Sequence, residues 1–419
     1  MTLRQTRRQR VLFLLCVVSV ITFLDRLAIP VAESGIRADL HLTPDQWGWV
    51  LSSYVLANAL FEIPSGALGD SNGQRLELTR ITVWWSAFTA LTAWCRTFLQ
   101  MVGARFLFGV GAAGAYPNAA GVISRWFPKK EHAHAQGYVW GASRLGGLLA
   151  PLLLGPLGRH LGWRAIFWVL GAVGLVWSAL WWTWFRNDPA EMSDISAAEL
   201  SEIRADQLAP GAAHNGIPWR QLFALPQLWL IVIAYFCYAW GSWFYFGWFT
   251  TWLVSGAGFS VAQMNIFASF PFAMGLIGNL AGGALSERLV VHYGRRKTYR
   301  WITTICLTLS SALLLCMSAA HGHIAIVIFA TLGFGIMDLM LPSAWAMCMS
   351  LGGRYGGTAT GVMNTAGNLG GWVCTVAFGY AVKATGDYNF PLRAVAAMVL
   401  IAAILFSQID CTRGLTESV

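Results

Sequence analysis

Long apolar stretches alternate with short polar segments along the whole 419-residue chain. A helix needs about 20 apolar residues to cross the hydrocarbon core of a bilayer, and most of these stretches approach that length. Glycine, proline and charged residues fill the segments between them, as is typical of turns and loops. The pattern predicts an all-α membrane protein with twelve transmembrane helices, at 11–32, 46–69, 79–96, 98–124, 134–158, 164–186, 226–254, 262–286, 300–320, 323–348, 357–383 and 390–409.

The longest polar stretch divides the chain into two halves of six spans each. We expect an N-terminal six-helix bundle over 1–186, a linker over 187–221 and a C-terminal six-helix bundle over 222–419. Within the linker, "ISAAELSEIRADQL" has helical spacing, which predicts a short helix along the membrane surface.

The two halves repeat each other in sequence. "GALGDSNGQR" (66–75) follows the second span, and "GALSERLVVHYGRR" (283–296) follows the eighth. Gly137 and Gly361 are 224 residues apart, as are Arg144 and Asn368. Matching offsets at several places indicate two duplicated, pseudo-symmetric halves, a common plan for transporters.

Composition agrees with a membrane protein, because the chain is 56% hydrophobic and only 11% charged. Soluble domains carry about 25% charged residues. The net charge of +9 comes from Lys and Arg in the N-terminal segment and alternate loops, such as 125–130 and 295–300. Basic residues stay on the cytoplasmic face during insertion, so both termini and the linker are predicted to be cytoplasmic. The basic charge is a topology signal, and no nucleic-acid partner is expected.

Cysteines and the first span exclude further classes. The eight cysteines are scattered, mostly inside spans, without C-x-x-C spacing, so neither a disulfide framework nor a metal cluster is expected. The first apolar stretch is long and contains charge, which indicates a retained span rather than a cleavable signal peptide.

Several motifs carry a family resemblance over essentially the full chain. The G-x-L-x-D pattern resembles the loop motif of the major facilitator superfamily, and "FLDRLAIPVA", "GAYPNAAGVISRWFP" and "GVMNTAGNLGG" resemble its anion:cation symporter family. The resemblance implies two six-helix bundles around a cavity that opens alternately to each side. Bacterial members import hexuronates, aldonates, aldarates and related carboxylates, and animal relatives include sialin and the vesicular glutamate transporters.

The loop motif is expected to dock onto a neighbouring helix and to stabilise one alternating-access state. Ser71 stands where the superfamily usually has a basic residue. The residues assigned to the motif in the two halves are Gly66, Asp70, Gly73, Arg75, Gly283, Glu287 and Arg288.

Charged side chains inside the spans cost about 2.5 kcal/mol or more near the bilayer centre, so each needs a reason. The spans contain few of them, and no histidine lies deep in any span. An arginine that faces a cavity can hold a carboxylate through two parallel hydrogen bonds. Arg105 is the best candidate for substrate binding, since family members bind the substrate anion with an arginine at the matching place; the alternative is an arginine that extends to the membrane interface.

Asp25 and Arg26 are about 100° apart on one helix and do not face the same partner. One arrangement has Asp25 facing the cavity and Arg26 reaching a neighbouring helix. In the family the matching aspartate serves proton coupling, which makes this pair the candidate coupling switch. The alternative is a static ion pair that fixes the first span against its neighbours.

Three further intramembrane charges have two interpretations each. Glu62 is either a proton-coupling carboxylate or an end-of-helix group that reaches interfacial water. Asp338, with Pro342 expected to break the helix just beyond it, makes a polar contact in the cavity or pairs with an arginine. Arg144 contacts substrate, or it pairs with Asp25, Asp338 or a backbone carbonyl.

One position departs from the family. Many relatives have a glutamate where this chain has Ala112, seven residues after Arg105 and on the same helix face. In those relatives the glutamate carries a second proton. Its absence puts two-site proton coupling in doubt, so that coupling runs through Asp25 alone, uses Glu62, or is replaced by exchange of anions.

Polar and aromatic residues complete the predicted cavity. Asn364 and Asn368 are four apart on one helix face among glycines that permit close helix approach. Their amides hydrogen-bond substrate hydroxyls in the family, and the alternative for both is an interhelical hydrogen bond. Further cavity candidates by family position are Trp345, Tyr54, Asn58, Ser143 and Tyr245.

The sequence therefore predicts a secondary active transporter of small organic anions, a sugar acid or related carboxylate, driven by co-moving protons. It is expected to work as a monomer in the bacterial inner membrane, with the lipid bilayer, the anion and protons as its partners and without cofactor or metal. The nearest alternative is a proton-independent anion exchanger or facilitator. A membrane sensor that signals through the linker is more remote, and an enzyme is disfavoured because the spans hold no nucleophile–base or metal-ligand constellation.

Overall fold

The computed structural model describes residues 7–42, 44–192, 195–204, 219–249 and 252–415, and every regular element within these ranges is helical. Part of the predicted linker, 205–218, lies outside the described residues. The α-helices are α1 (Arg7–Val31), α2 (Glu33–Leu40), α3 (Pro44–Asn72), α4 (Gln74–Thr92), α5 (Phe98–Ala112), α6 (Ala115–Trp126), α7 (His132–Leu161), α8 (Trp163–Trp184), α9 (Ala197–Arg204), α10 (Trp219–Phe223), α11 (Pro226–Trp243), α12 (Val261–Phe267), α13 (Phe270–Ala319), α14 (His323–Leu339), α15 (Leu341–Gly352), α16 (Gly356–Thr385) and α17 (Asn389–Phe406).

Length and apolar composition make seven of the described helical stretches able to cross a membrane, among them Arg7–Ile29, Phe98–Trp126 and Asn389–Phe406. The predicted spans at 46–69 and 134–158 fall on α3 and α7, which are 29 and 30 residues long. An all-α membrane architecture is therefore confirmed.

Two predicted spans are broken by local irregularities. The span predicted at 98–124 divides into α5 and α6 at Gly114, whose φ of 84° ends one helix and starts the next. The span predicted at 323–348 divides into α14 and α15 at Met340, two residues before Pro342. Proline is tolerated in the first turn of a helix, where its missing N–H needs no partner, and Pro342 is accordingly the second residue of α15. Two π-helical segments, Phe244–Trp248 and Trp252–Gly256, follow α11.

One turn occurs twice, once within each copy of the loop motif. Gly73 separates α3 from α4 with φ 90° and ψ 141°, and Gly294 interrupts α13 with φ 75° and ψ 160°. Left-handed φ values of this kind are accessible to glycine at little cost. The structure thus gives the two sequence copies the same backbone geometry, as expected for duplicated halves.

The chain forms two compact units that do not follow the predicted halves throughout. Unit 1 comprises Met1–Lys129, Ala142–Ile217 and Arg354–Gly361, and unit 2 comprises Lys130–Gly141, Pro218–Gly353 and Val362–Val419. In unit 1, α4 packs on α8 and α5, and α3 packs on α5 and α6. In unit 2, α13 packs on α14 and α17, and α11 packs on α17. The first part of α7, up to Gly141, therefore belongs to unit 2 and the rest of α7 to unit 1. The first part of α16, up to Gly361, belongs to unit 1 and the rest of α16 to unit 2.

The linker helix α9 is attached to the first turn of α1. The Glu199 carboxylate, only 8% exposed, accepts hydrogen bonds from the backbone N–H groups of Arg8 at 2.9 Å and Arg7 at 3.3 Å. The first N–H groups of a helix lack partners within the helix, and a carboxylate there also complements the helix dipole. Glu199 thus caps α1 from 191 residues away in sequence.

Replacing Glu199 by alanine should lower the free energy of unfolding by about 1 kcal/mol, the usual cost of a lost N-terminal cap. Thermal unfolding in detergent measures the change. Glu202→Ala is the matched control, because Glu202 also pairs with Arg8, at 2.6 Å, but is 44% exposed. Equal destabilisation by the two variants would show that the Arg8 contacts, rather than the cap, attach α9.

Candidate functional site

The charged residues of unit 1 converge around one tyrosine. Arg26 of α1 donates its Nε–H to the Tyr54 hydroxyl of α3 at 2.9 Å. The guanidinium groups of Arg26 and Arg105 lie 5.3 and 5.5 Å from the centre of the Tyr54 ring. Cations at this distance from an aromatic face are attracted to it. Tyr54 therefore holds two cations that would otherwise repel each other across the interior of unit 1.

Arg105 is a buried cation with donor capacity to spare. The residue is 3% exposed, and its guanidinium lies 4.3 Å from the centre of the Phe108 ring, one turn further along α5. Its Nε has no hydrogen-bond partner within the described part of the chain. Buried polar groups in native proteins are nearly always hydrogen-bonded, so an unused guanidinium edge is the feature expected of a group that binds a ligand.

Asp25 reaches a helix that the sequence did not implicate. Its Oδ1 accepts a hydrogen bond from Thr89 Oγ1 of α4 at 3.1 Å, while its Oδ2 has no partner among the described residues. The carboxylate is 1% exposed and lies within electrostatic range of Arg105. Arg26 points away from it, to Tyr54 and to the Phe23 ring 5.0 Å distant. The two neighbours thus have different partners, and the described Asp25 side chain keeps one oxygen unused.

Other predicted residues of unit 1 line the same region. Glu62 of α3 is 1% exposed and lies within electrostatic range of Arg26. Arg144 of α7 is 3% exposed, with its guanidinium 5.7 Å from the Phe23 ring. Asn58 is also buried, one turn before Glu62 on α3.

Tyr116 is a member of this cluster that sequence analysis missed. It is the second residue of α6, just after the break at Gly114, and its hydroxyl hydrogen-bonds Ser143 Oγ of α7 at 2.8 Å. Arg26 and Arg144 both lie within electrostatic range of that hydroxyl. Its presence in the quoted motif "GAYPNAAGVISRWFP" was the only available signal.

In unit 2, three of the predicted residues have their polar atoms engaged inside the helix packing. Asp338, fully buried, accepts a hydrogen bond from Asn279 Nδ2 at 3.0 Å. Trp345, also fully buried, donates its indole N–H to the Tyr235 hydroxyl at 3.1 Å. Tyr245 lies in the first π-helical segment and donates to the Ala330 carbonyl at 3.0 Å.

Asn364 and Asn368 differ from those three residues because they remain partly exposed on α16. They lie one turn apart on one face of the helix, as their spacing predicted. Partial exposure distinguishes these two residues from Asp338, Trp345 and Tyr245, which are buried.

The first copy of the loop motif caps a helix within unit 1. Asp70 Oδ2 accepts hydrogen bonds from the Thr358 backbone N–H at 2.6 Å and from Thr358 Oγ1 at 2.8 Å, in the first turn of α16. A Cβ atom on Gly66 would lie 2.7 Å from the Gly357 carbonyl oxygen, so the close approach requires glycine. Arg75 donates to the Trp182 carbonyl at the end of α8, at 2.9 and 2.6 Å.

The second copy makes the equivalent contact within unit 2. Glu287 forms an ion pair with His134 in the first turn of α7, and Arg288 is exposed beside it. A Cβ atom on Gly283 would lie 2.9 Å from the Ala133 carbonyl oxygen. Thr358 follows His134 by 224 residues, the offset that already related Gly137 to Gly361. Each carboxylate of the motif therefore contacts the start of an equivalent helix.

Known sequences resemble the chain over nearly its full length. Residues 14–375 match the family profile described as "Major Facilitator Superfamily". The probable sulfoacetate transporter SauU of Cupriavidus necator is 32% identical over 401 residues, which cover 95% of this chain and 92% of that protein. The hexuronate transporter of Bacillus subtilis is 26% identical over 403 residues, which cover 94% and 92%.

A solved structure has the same fold. The crystal structure of the human organic anion transporter MFSD10 superposes with a TM-score of 0.72 at 14% identity, covering 96% of this chain and 100% of that one. By their names, both sequence relatives and the structural neighbour are transporters. The chain belongs to the Major Facilitator Superfamily and is an integral membrane transporter rather than an enzyme.

Proposed function

We propose that this protein is a secondary active transporter of small organic anions, a sugar acid or related carboxylate, which it moves together with protons by alternating access. Arg105 supports the proposal most directly, because it is a buried guanidinium with an Nε–H that no described residue accepts. A planar guanidinium binds a carboxylate or a sulfonate through charge-assisted hydrogen bonds. The names of the relatives, sulfoacetate and hexuronate transporters, fit the same chemistry.

Charge balance in unit 1 favours proton co-transport of divalent anions. The cluster holds three arginines, at 26, 105 and 144, and two carboxylates, at 25 and 62, so one positive charge is uncompensated when all are ionised. A monovalent anion would bring the cluster to neutrality. A divalent anion such as sulfoacetate or glucarate would leave a net negative charge, which one bound proton would remove. Uncompensated charge at membrane depth is costly, so divalent substrates need that proton.

The remaining predicted residues have supporting roles. Asn58 in unit 1, and Asn364 and Asn368 in unit 2, are the candidate amides for substrate hydroxyl groups. Tyr54, Ser143 and Arg144 shape the charged end of the site. Trp345 holds α15 against α11 through Tyr235, Tyr245 holds the first π-helical segment against α14 through the Ala330 carbonyl, and Asp338 holds α13 through Asn279.

The proposed architecture has twelve transmembrane helices in two six-helix bundles, with both termini in the cytoplasm of a bacterial cell. The two copies of the loop motif stabilise one alternating-access state through the helix starts that they contact, and a monomer in the inner membrane suffices for transport.

Uptake into proteoliposomes tests the proposal. Labelled glucuronate, glucarate and sulfoacetate are supplied outside, with and without an inward proton gradient. We expect at least one of them to accumulate above its external concentration when the gradient is present, and unlabelled competitors without an anionic group to leave uptake unchanged. Absence of saturable uptake for all three anions would contradict the assignment of substrate class.

Ala112 supports one alternative, a proton-independent anion exchanger. The residue is buried at the end of α5, where the family resemblance implies a glutamate, and it offers no titratable group. Uptake that requires a counter-anion inside the vesicle and ignores the proton gradient would favour exchange.

A further inference from the structure

A cavity of about 470 Å³ lies in unit 2, apart from the proposed substrate site. Its cationic end is formed by Arg296, Lys297 and Arg300, which follow the turn at Gly294 in α13. Ser407, the residue that ends α17, closes the opposite side. The cavity therefore lies between the second part of α13 and the end of α17.

The three cations are not equally compensated. Arg296 pairs with Asp410 at 3.2 Å, and Arg300 donates to the carbonyls of Gln408 and Ile409 after the end of α17. Burial opposes ionisation of Asp410, but hydrogen bonds from Thr412 and the charge of Arg296 outweigh it and lower the pKa of that carboxyl. Asp410 therefore remains ionised, and Arg296 and Arg413 share it, since the Arg413 Nε lies 3.4 Å from the same carboxylate oxygen.

Lys297 completes the cavity without a partner. It is exposed and makes no ion pair or hydrogen bond with any described residue. With Asp410 shared between Arg296 and Arg413, the cavity keeps at least the charges of Arg300 and Lys297. A phosphate group in the cavity would accept charge-assisted hydrogen bonds from Arg300 and Lys297.

The other wall of the cavity is apolar and continues along the helix. Trp301 and Ile305 line it and are 46% and 56% exposed. Leu309, 49% exposed, extends the same face of α13 by another turn, and Ile404 of α17, 54% exposed, lies within one turn of Ser407. A cationic end joined to this apolar face fits an amphiphile with an anionic headgroup. A small soluble anion would not contact the apolar face.

Internal duplication shows that this charge is not demanded by the turn. Gly294 follows Gly73 by 221 residues, and the same offset relates Arg296 to Arg75. At the positions equivalent to Lys297 and Arg300, the first copy has Leu76 and Thr79. The two additional cations are therefore particular to the second copy and are not part of the shared turn.

We propose that this cavity binds the phosphate-bearing headgroup of an anionic phospholipid, with an acyl chain along Trp301, Ile305 and Leu309. Lys297 and Arg300 contact the phosphate, and Arg296 stays with Asp410. Basic pockets at the membrane surface between transmembrane helices are known to hold such headgroups. The lipid would join α13 to the end of α17 and stabilise the outer packing of unit 2.

Native mass spectrometry of the full-length protein tests this assignment by titration with phosphatidylglycerol or phosphatidylcholine. We expect one phosphatidylglycerol per chain to bind at least tenfold more tightly than phosphatidylcholine. Lys297→Gln should weaken that binding about fivefold, and Lys297→Glu should weaken it further, because each basic residue near a lipid surface adds about a factor of five. Lys297 has no described partner, so unchanged thermal unfolding of both variants is the check that they fold normally.

Lys129→Glu is the matched control. It makes the same change of charge as Lys297→Glu, but Lys129 does not line the cavity. Equal binding of the two lipids, or equal loss in the Lys129 and Lys297 variants, would overturn the proposal in favour of unspecific surface charge. A third arm adds glycerol phosphate: displacement of phosphatidylglycerol by this soluble headgroup at millimolar concentration would overturn the lipid assignment and indicate a site for free phosphate esters. The proposal survives only if phosphatidylglycerol binds selectively, depends on Lys297 and resists glycerol phosphate.

Discussion

Replacing Arg105 by alanine is expected to weaken substrate binding at least 100-fold and to abolish measurable transport. Truncating one partner of a buried, hydrogen-bonded charge pair costs about 2–5 kcal/mol, and 2.8 kcal/mol already corresponds to about a hundredfold. Arg105 is 3% exposed, so water does not replace the lost contact easily. Binding is best measured directly, by substrate-induced thermal stabilisation or by equilibrium binding to detergent-solubilised protein.

Two further variants make the result specific. Arg105→Lys keeps the positive charge but loses the planar fork, so we expect an intermediate loss of about tenfold. Arg164→Ala is the matched control, because Arg164 also stacks on an aromatic ring and pairs with a carboxylate, Asp39, but is 41% exposed. The Arg164→Ala variant should bind substrate with the same affinity as the unmodified protein. Unchanged affinity in Arg105→Ala would assign this arginine to packing on Phe108 and Tyr54 instead.

Hydropathy predicted the helices well because lipid imposes a strict rule. Every backbone polar group at membrane depth needs an internal partner, so an apolar stretch of the right length has little choice but to be a helix. The breaks were not predictable in the same way. Gly114 is one of 44 glycines in the chain, and a Cβ atom at this position would clash with Ser65 of α3, a contact that arises from tertiary structure.

The same limit applies to the cap that Glu199 places on α1. The sequence "ISAAELSEIRADQL" predicted a helix in the linker, and α9 confirms that a helix is present. Nothing in local spacing relates Glu199 to Arg8, however, since 191 residues separate them. Long-range partners of this kind follow from packing and leave no periodic signal in the sequence.

Candidate site residues divide along a similar line. Arg105 and Asp25 were identifiable because a charge inside an apolar stretch is expensive and therefore conspicuous. Thr89, which donates a hydrogen bond to Asp25, was not identifiable from the sequence. Threonines are common in membrane helices, and their hydroxyl groups usually hydrogen-bond to the backbone of their own helix. Charges reveal where a polar site lies within the membrane, whereas the neutral residues that orient those charges become visible only in the folded chain.

The loop motif shows what a repeat adds to sequence analysis. Offsets between the halves related Gly137 to Gly361, but did not tell which residues Asp70 and Glu287 would contact. The structure gives them Thr358 and His134, at equivalent positions. The motif therefore constrains its partner helices as well as its own loop, since the carboxylate needs a helix start that approaches closely enough to be capped.

Asp25→Asn should abolish proton-driven accumulation while leaving counterflow of substrate between the two sides intact. A pH difference of one unit supplies about 1.4 kcal/mol, so symport with one proton sustains about a tenfold concentration ratio, whereas the variant should only equilibrate the substrate. Asparagine retains the oxygen that Thr89 contacts at 3.1 Å and lacks the titratable group. The variant is therefore expected to fold and bind substrate, which separates loss of coupling from loss of binding.

Glu62→Gln is the matched control, because Glu62 is equally buried and also lies in the charged cluster of unit 1. It should retain the tenfold ratio if Asp25 alone carries the proton. Loss of accumulation in Glu62→Gln with normal accumulation in Asp25→Asn would transfer the coupling role to Glu62. Accumulation that persists in both single variants and in the double variant would show that neither carboxylate moves the proton, and the Asp25–Thr89 contact would then act only to hold α1 against α4.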